Sequence, residues 1–141
     1  MKKVYLCLGI IIVIIDQLVK QIMINRYITI IPNILSFTYT KNIGAAFGLG
    51  SRYIVLILSI AIILFMLYIL FKNKEIDKYY LPYTFILAGA FGNVIDRIFR
   101  GYVIDYIDIE FLNFPTFNIA DTCITVGIAY FVAKIIKNKI D

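Results

Sequence analysis

Residues 87–122 read LAGAFGNVIDRIFRGYVIDYIDIEFLNFPTFNIADT, and they hold five of the nine carboxylates in the 141-residue chain. Those five are Asp96, Asp105, Asp108, Glu110 and Asp121. Most residues around them are apolar, and carboxylates are costly close to hydrocarbon, so each needs a reason to be there. We predict that Asp105 and Asp121 form a functional pair.

The chain as a whole is too apolar for a soluble protein of its size. Hydrophobic residues make up 62% of the sequence, and they occur in long runs that are typical of membrane proteins. The formal net charge is +5, and many of the basic residues lie at the ends of these runs. Membrane topology explains that distribution better than nucleic-acid binding does, so we expect no nucleic-acid partner.

Several kinds of catalytic site are excluded by composition. The chain has no histidine, which rules out a Ser-His-Asp triad, a Cys-His pair and a histidine-ligated metal site. Cys7 and Cys123 both lie inside apolar runs, where packing is a simpler interpretation than a disulfide. We therefore expect neither a metal ion nor a cofactor.

Four apolar runs predict four membrane-spanning helices. They cover residues 4–23, 53–71, 79–99 and 119–136, and each is about as long as the hydrocarbon core of a bilayer requires. The predicted fold is an all-α membrane protein with four transmembrane helices and a small extracytoplasmic β-platform. We expect the whole chain, residues 1–141, to form a single integral membrane domain.

The β-platform is predicted from the segments between these helices. Residues 34–40 mix β-branched and aromatic side chains, as strands do, and residues 41–48 read as a turn and a second extended piece. Polar and apolar residues alternate within 101–117. If this piece is extended, Asp105 lies on its apolar face, opposite Asp108.

The basic residues predict the orientation of the chain in the membrane. The N-terminus, the 72–78 linker and the C-terminal tail carry eight of the 14 Lys and Arg residues. With four spans all three lie on one side, which the positive-inside rule assigns to the cytoplasm. Residues 25–51 and 100–118 then face outward, together with the helix ends that adjoin them.

Polar residues on the first helix and after the first strand have two open interpretations. Asp16 and Lys20 are four residues apart on one helix face. They are either a neutralised pair with Lys20 reaching to the interface, or the polar foot of a site. Asn42 is either a turn residue before Gly44 or part of the same site.

The end of the third helix and the start of the fourth offer further candidates. Asn93 and Arg97 share one helix face and could hydrogen-bond a carbonyl or a carboxylate, or simply anchor the helix end. We interpret Asp96 as charge compensation for Arg97. Asn118 is a natural N-cap with Asp121 at the third helical position, so a helix-capping role is an equal alternative for Asp121.

Two adjacent carboxyl groups suit acid–base chemistry. They tend to share one proton because both cannot ionise cheaply. The ionised group takes a proton from water, which attacks a peptide carbonyl, while the protonated group polarises that carbonyl. We therefore predict an aspartyl protease pair, Asp105 and Asp121, that titrates as a unit.

Three alternatives to a protease of this kind are less consistent with the sequence. A small proton-coupled transporter would use carboxylates near the bilayer centre, whereas here they lie at the ends of the spans. An intramembrane protease of the presenilin kind carries a Gly-x-Gly-Asp motif, which this chain lacks. A structural membrane subunit would leave the clustered polar residues unexplained.

Five short motifs in order resemble the lipoprotein signal peptidases, or type II signal peptidases, of bacteria. They are DQLVK at 16–20, NIGAAFG at 42–48, GNVIDR at 92–97, GYVIDY at 101–106 and FNIAD at 117–121. Any one of them alone is weak, but together they span most of the chain, and none of the key positions departs from the family pattern.

The resemblance implies a bacterial cytoplasmic-membrane aspartyl endopeptidase with its site on the outer face and both termini in the cytoplasm. Its substrates would be diacylglyceryl-modified prolipoproteins, cleaved just before the lipidated cysteine. Asp105 and Asp121 would be catalytic, and the substrate-binding residues would be Asp16, Lys20, Asn42, Asn93, Arg97 and Asn118. Cyclic depsipeptides such as globomycin would inhibit it. We expect a monomer in contact with membrane lipid.

Overall fold

The computed structural model describes residues 3–44, 52–72, 74–112 and 114–140. Its long helices are α1 (Lys3–Met23), α2 (Arg52–Lys72), α3 (Tyr80–Phe99) and α4 (Ile119–Ile140). Its strands are β1 (Ile28–Ile31), β2 (Leu35–Asn42) and β3 (Val103–Asp108), and short 3-10 helices cover Lys74–Tyr79 and Glu110–Leu112. The described part of the chain is thus mostly helical, with one small sheet.

Three of the described helices are long and apolar enough to cross a membrane, over Lys3–Met23, Tyr53–Lys72 and Ile119–Asn138. Most of their residues are exposed to the surroundings, although they are apolar. Apolar side chains that face outward over the length of a bilayer are suited to contact with lipid. The fold is therefore that of a membrane protein. Three of the four predicted spans meet this criterion of length and hydropathy, and α3 is not among them.

α3 is the central helix and differs from the other three. It contacts α1, α2 and α4, and it has the most buried residues of the four helices. Small residues on α3 allow α4 to approach closely: a Cβ added at Gly89 would lie 2.2 Å from the backbone oxygen of Ala120. The first turn of α4 is thereby held directly against α3.

The sheet is antiparallel with the strand order β1-β2-β3. β1 and β2 are joined by a tight turn in which Pro32 precedes Asn33, and Asn33 has a positive φ of 59°. The predicted strand at 34–40 corresponds to β2, but β1 was not predicted. Residues 41 and 42 continue β2, and the rest of the predicted second extended piece, apart from residues 43 and 44, lies outside the described residues.

β3 connects the end of α3 to the start of α4. Gly101, with φ of 80°, turns the chain out of α3 directly after its C-cap, as glycine does at many helix ends. β3 pairs with β2 so that Asp105 lies opposite Thr40. A single bridge between Ile107 and Phe117 then returns the chain toward α4. This path brings Asp105 close to the N-terminus of α4.

Candidate active site

Asn118, just before α4, connects the two predicted catalytic carboxyls. Its side-chain Nδ2 donates to Oδ1 of Asp105 at 2.7 Å. Its backbone N–H donates to Oδ2 of Asp121 at 3.2 Å, while its Oδ1 accepts from the backbone N–H of Asp121 at 2.9 Å. The last two bonds form a reciprocal helix cap. The capping role predicted as an alternative for Asp121 is therefore present. The side chain of Asp121 uses only Oδ2 for this cap.

Asn42, at the end of β2, holds the other oxygen of Asp105. Its Nδ2 donates to Oδ2 of Asp105 at 2.8 Å, and its Oδ1 accepts from the backbone N–H of Gly44 at 2.8 Å. The turn interpretation and the site interpretation of Asn42 are compatible, because each uses a different atom of the amide. The turn fixes the oxygen and so directs the amide nitrogen at Asp105.

Asn93, on α3, holds the other oxygen of Asp121. Its Nδ2 donates to Oδ1 of Asp121 at 2.7 Å, and its Oδ1 accepts from Nζ of Lys20 at 3.0 Å. A lysine ammonium can only donate, so the oxygen of Asn93 must face Lys20 and its nitrogen must face Asp121. Lys20 therefore sets the orientation of this amide.

All four carboxylate oxygens of Asp105 and Asp121 accept a hydrogen bond from a neutral amide of Asn42, Asn93 or Asn118. Neutral donors orient the carboxyls without adding positive charge that would hold both in the ionised form. A proton shared by the pair must lie away from these donors, on a free lone pair of one carboxyl. The arrangement thus suits one ionised and one protonated group.

Burial raises the pKa of Asp105 from 3.8 to about 6. The hydrogen bond from Asn42 lowers this pKa, and the charge of Asp121 raises it. Asp105 is only 2% exposed, so its ionised form loses most of its hydration. Asp105 is therefore suited to hold a proton at a pH where an ordinary aspartate is ionised.

The raised pKa of Asp105 predicts a pH-dependent stability. Unfolded Asp105 ionises near pH 3.8 and folded Asp105 near pH 6, so between these values the folded state binds more protons. Stability contributed by the protonated form is therefore lost as the pH rises through this window, by roughly 3 kcal/mol. Asp105→Asn cannot titrate and escapes this loss. We expect its melting temperature, measured relative to wild type in detergent, to rise between pH 4 and pH 7.

Asp105→Asn would also place an N–H against a donor of Asn42 or Asn118, which changes the stability at every pH. Only the pH dependence of the difference in melting temperature between Asp105→Asn and wild type therefore tests the raised pKa. Asp108→Asn, on the same strand and partly exposed, is the matched control for loss of a carboxylate. A difference between Asp105→Asn and wild type that stays constant across this pH range would contradict the raised pKa.

Arg97 lies on α3 one turn beyond Asn93. Its guanidinium is at the limit of hydrogen-bond distance from the backbone oxygen of Asn93, at 3.5 Å, and it is partly exposed. Asp121 and Asp105 are close enough to attract it electrostatically. Contact of Arg97 with a substrate stays a prediction.

Asp16 and Lys20 are placed differently from the other candidates. They form an ion pair of 2.8 Å, and both are 0% exposed. Lys20 does not reach to the interface, because its ammonium is enclosed between α1 and α3. Direct contact with a substrate stays a prediction for these two residues, and their burial favours a role through Asn93 instead.

Asp96 was misinterpreted, and Gln17 and Arg100 were missed as site candidates. Asp96 forms its described ion pairs with Lys20, at 3.1 Å, and with Arg100, so compensation for Arg97 is not its main role. Gln17 donates to Oδ1 of Asp96 at 3.1 Å. The four-residue spacing of Asp96 and Arg100 is a signal in the sequence, whereas nothing local indicates the contact of Gln17 with α3.

Apolar helices with outward-facing side chains, and two carboxyls held together by Asn118, define a membrane protein with a candidate acid–base site. A family model described as signal peptidase (SPase) II matches residues 8–137. The lipoprotein signal peptidase of Latilactobacillus sakei strain 23K is 40% identical, over 96% of this chain and 96% of its own length. That of Lactococcus lactis strain IL1403 is 40% identical over 88% and 84%. The chain belongs to the signal peptidase II family.

The fold of the chain is similar to that of a solved structure. A bacterial membrane enzyme structure at 2.3 Å resolution superposes with a TM-score of 0.87 and 30% sequence identity, covering 99% of this chain and 91% of its own. The family makes the chain a membrane-bound protease. These relatives are peptidases and a membrane enzyme, and they give no support to the transporter alternative.

Proposed function

We propose that the chain is an aspartic endopeptidase in which Asp105 and Asp121 are the catalytic residues. The observation that carries this proposal is the position of Asn118, which hydrogen-bonds both carboxyls. One residue in contact with both groups holds them in a fixed relation, as a pair that shares a proton requires. Family membership supports the protease activity itself.

In the proposed reaction one carboxyl is ionised and the other protonated. The ionised group takes a proton from a water molecule as that water attacks the scissile carbonyl. The protonated group donates a hydrogen bond to the carbonyl oxygen and later transfers its proton toward the departing amine. The raised pKa of Asp105 is compatible with the protonated role.

The proposed substrates are prolipoproteins that carry diacylglycerol on a cysteine, cleaved just before that cysteine so that the signal peptide is released. The relatives named as lipoprotein signal peptidases support this substrate class. We propose that Asn42, Asn93, Arg97 and Asn118 line the substrate site, with Arg97 at its edge. The same pair would be the target of globomycin-type cyclic depsipeptides.

We propose that α3 also crosses the membrane, which makes four spans in total, and that the membrane is the cytoplasmic membrane of a bacterium. The charged residues of α3 do not argue against a span, because Asp96 is paired with Lys20 and Arg100 inside the protein. Both termini would lie in the cytoplasm and the sheet at the outer surface. A lipidated cysteine anchored in the outer leaflet then meets the pair at that surface. We propose that the single domain works as a monomer.

The test is cleavage by the purified full-length protein in detergent or lipid. A prolipoprotein is supplied in two forms, with and without diacylglycerol on the cysteine, and the new N-terminus is identified by mass spectrometry. We expect the lipidated form to be cut just before the modified cysteine and the unmodified form to stay largely intact. Failure to cut the lipidated form, or a cut elsewhere, would contradict the proposal.

A further inference from the structure

Beneath the candidate pair lies a buried ion cluster, which we call the brace: Asp16 and Lys20 of α1 and Asp96 of α3. All three residues are 0% exposed. Nζ of Lys20 is 2.8 Å from Oδ2 of Asp16 and 3.1 Å from Oδ2 of Asp96. Arg100 pairs with Asp96 and brings the local charge to zero. One ammonium thus fixes the distance between two buried carboxylates.

Each carboxylate of the brace also accepts a backbone hydrogen bond next to a proposed catalytic residue. Oδ2 of Asp96 accepts from the N–H of Ile104 at 3.1 Å, and Oδ1 of Asp16 accepts from the N–H of Ala120 at 3.0 Å. Ile104 directly precedes Asp105 on β3. Ala120 directly precedes Asp121 on α4, so the two ends of the brace hold the chain one residue before each member of the pair.

We propose that the brace sets the separation of the Asp105 and Asp121 carboxyls, so that its members are positioning residues for the cleavage reaction. This proposal rests on the proposed function of that pair. β3 and α4 are separate elements, and the brace joins their backbones through α1 and α3. Lys20 adds a further link, because its bond to Asn93 orients the amide that holds Asp121.

The contacts around the brace leave little freedom for it to shift. A Cβ added at Gly92 would lie 2.6 Å from Oδ2 of Asp16, so α3 approaches this carboxylate as closely as a glycine permits. Gln17 donates to the backbone oxygen of Gly92 at 3.0 Å as well as to Asp96. A change in the length or shape of the central cation would therefore be passed on to β3 and α4.

The competing explanation is that Lys20 only neutralises two buried carboxylates. Lys20→Arg separates the two explanations, because arginine keeps the charge but has a larger, planar group with a different hydrogen-bond geometry. If neutralisation suffices, arginine replaces lysine without loss. If the position of the ammonium matters, Lys20→Arg misplaces the pair in a protein whose charge is unchanged.

The experiment measures kcat, KM and the pH profile of kcat with a diacylglyceryl-modified prolipoprotein. For Lys20→Arg we expect kcat to fall about 100-fold, with KM within about two-fold of wild type, because a misplacement near 1 Å has an effect of this size. We also expect the bell-shaped pH profile to narrow, since carboxyls held further apart interact less and their apparent pKa values converge. A purely structural role would leave that width unchanged.

Three further variants complete the experiment. Thr84→Val changes a buried polar residue of α3 that bonds the backbone of Tyr80 and does not contact the brace, and wild-type kinetics are expected. Asp96→Asn, which keeps the shape of the side chain, should narrow the pH profile as Lys20→Arg does, and it decides the question if Lys20→Arg does not fold. Asp105→Asn, run on the same substrate, tests the proposed function separately.

The two proposals fail in different ways. If wild type does not cleave, or if Asp105→Asn cleaves normally, the proposed function fails. If those two results hold but folded Lys20→Arg shows the kcat and the pH width of wild type, the brace proposal is overturned. Loss of activity with an unchanged pH width and a raised KM would overturn it as well.

Discussion

Asp121→Asn and Asp105→Asn are each expected to lower the rate of prolipoprotein cleavage by roughly 10²–10⁴-fold, the usual size of a general acid–base contribution. Asparagine keeps the shape of the carboxyl but cannot exchange a proton with water or substrate. Asp105 and Asp121 would act as one unit, so the double variant should lose little more than either single variant. The measurement is the steady-state rate with a lipidated substrate at matched protein concentrations.

The competing explanation for Asp121 is that it only caps α4. Its Oδ2 caps α4 by accepting from the N–H of Asn118, a bond that an asparagine oxygen can keep. If capping were its whole role, Asp121→Asn would cleave nearly as wild type does and would lose at most about 1 kcal/mol of stability. Asp108→Asn, which removes a partly exposed carboxylate from β3, is the control and should retain activity.

Local patterns in the sequence were enough to predict the helices and one part of the site. Long apolar runs fix the helices because only regular backbone hydrogen bonding is tolerated in lipid. The cap between Asn118 and Asp121 follows from a three-residue spacing. The alternation around Asp105 was compatible with an extended segment, and β3 covers Val103–Asp108.

The missing strand and the shared contacts depend on residues far apart in the chain. β1 was not predicted because its sequence, ITII at Ile28–Ile31, is only four residues long and does not alternate regularly between apolar and polar residues. The bond from Asn42 to Asp105 joins residues 63 positions apart, and that from Lys20 to Asn93 joins residues 73 apart. Such contacts follow from the packing of whole elements, which no local pattern reports.

Substitution of Gly89 by alanine is expected to have the largest effect on stability. A Cβ at this position would lie 2.2 Å from the backbone oxygen of Ala120 and 2.8 Å from Cγ1 of Ile124. The side chain of Ile124 can rotate, but the oxygen of Ala120 belongs to the first turn of α4 and moves only with the helix. We expect a loss of about 3 kcal/mol or more, the upper range for overpacking, measured as thermal unfolding in detergent.

The chain contains a matched control for this substitution. A Cβ at Gly9, on α1, would lie 3.4 Å from Cγ2 of Thr84, which is an ordinary van der Waals contact. Because alanine favours a helix more than glycine does, Gly9→Ala should be neutral or stabilising by up to about 1 kcal/mol. The same chemical change is thus expected to act in opposite directions at Gly89 and Gly9.

The Gly89 prediction also links stability to catalysis. Ala120 directly precedes Asp121, so any Gly89→Ala protein that folds must do so with the start of α4 displaced from α3. Its cleavage rate should fall even at temperatures well below its melting temperature, whereas Gly9→Ala should cleave as wild type does. A Gly89→Ala protein as stable and as active as wild type would contradict the close approach of α3 and α4. The position of Asp121 would then rest on its hydrogen bonds to Asn93 and Asn118 and not on close helix packing at Gly89.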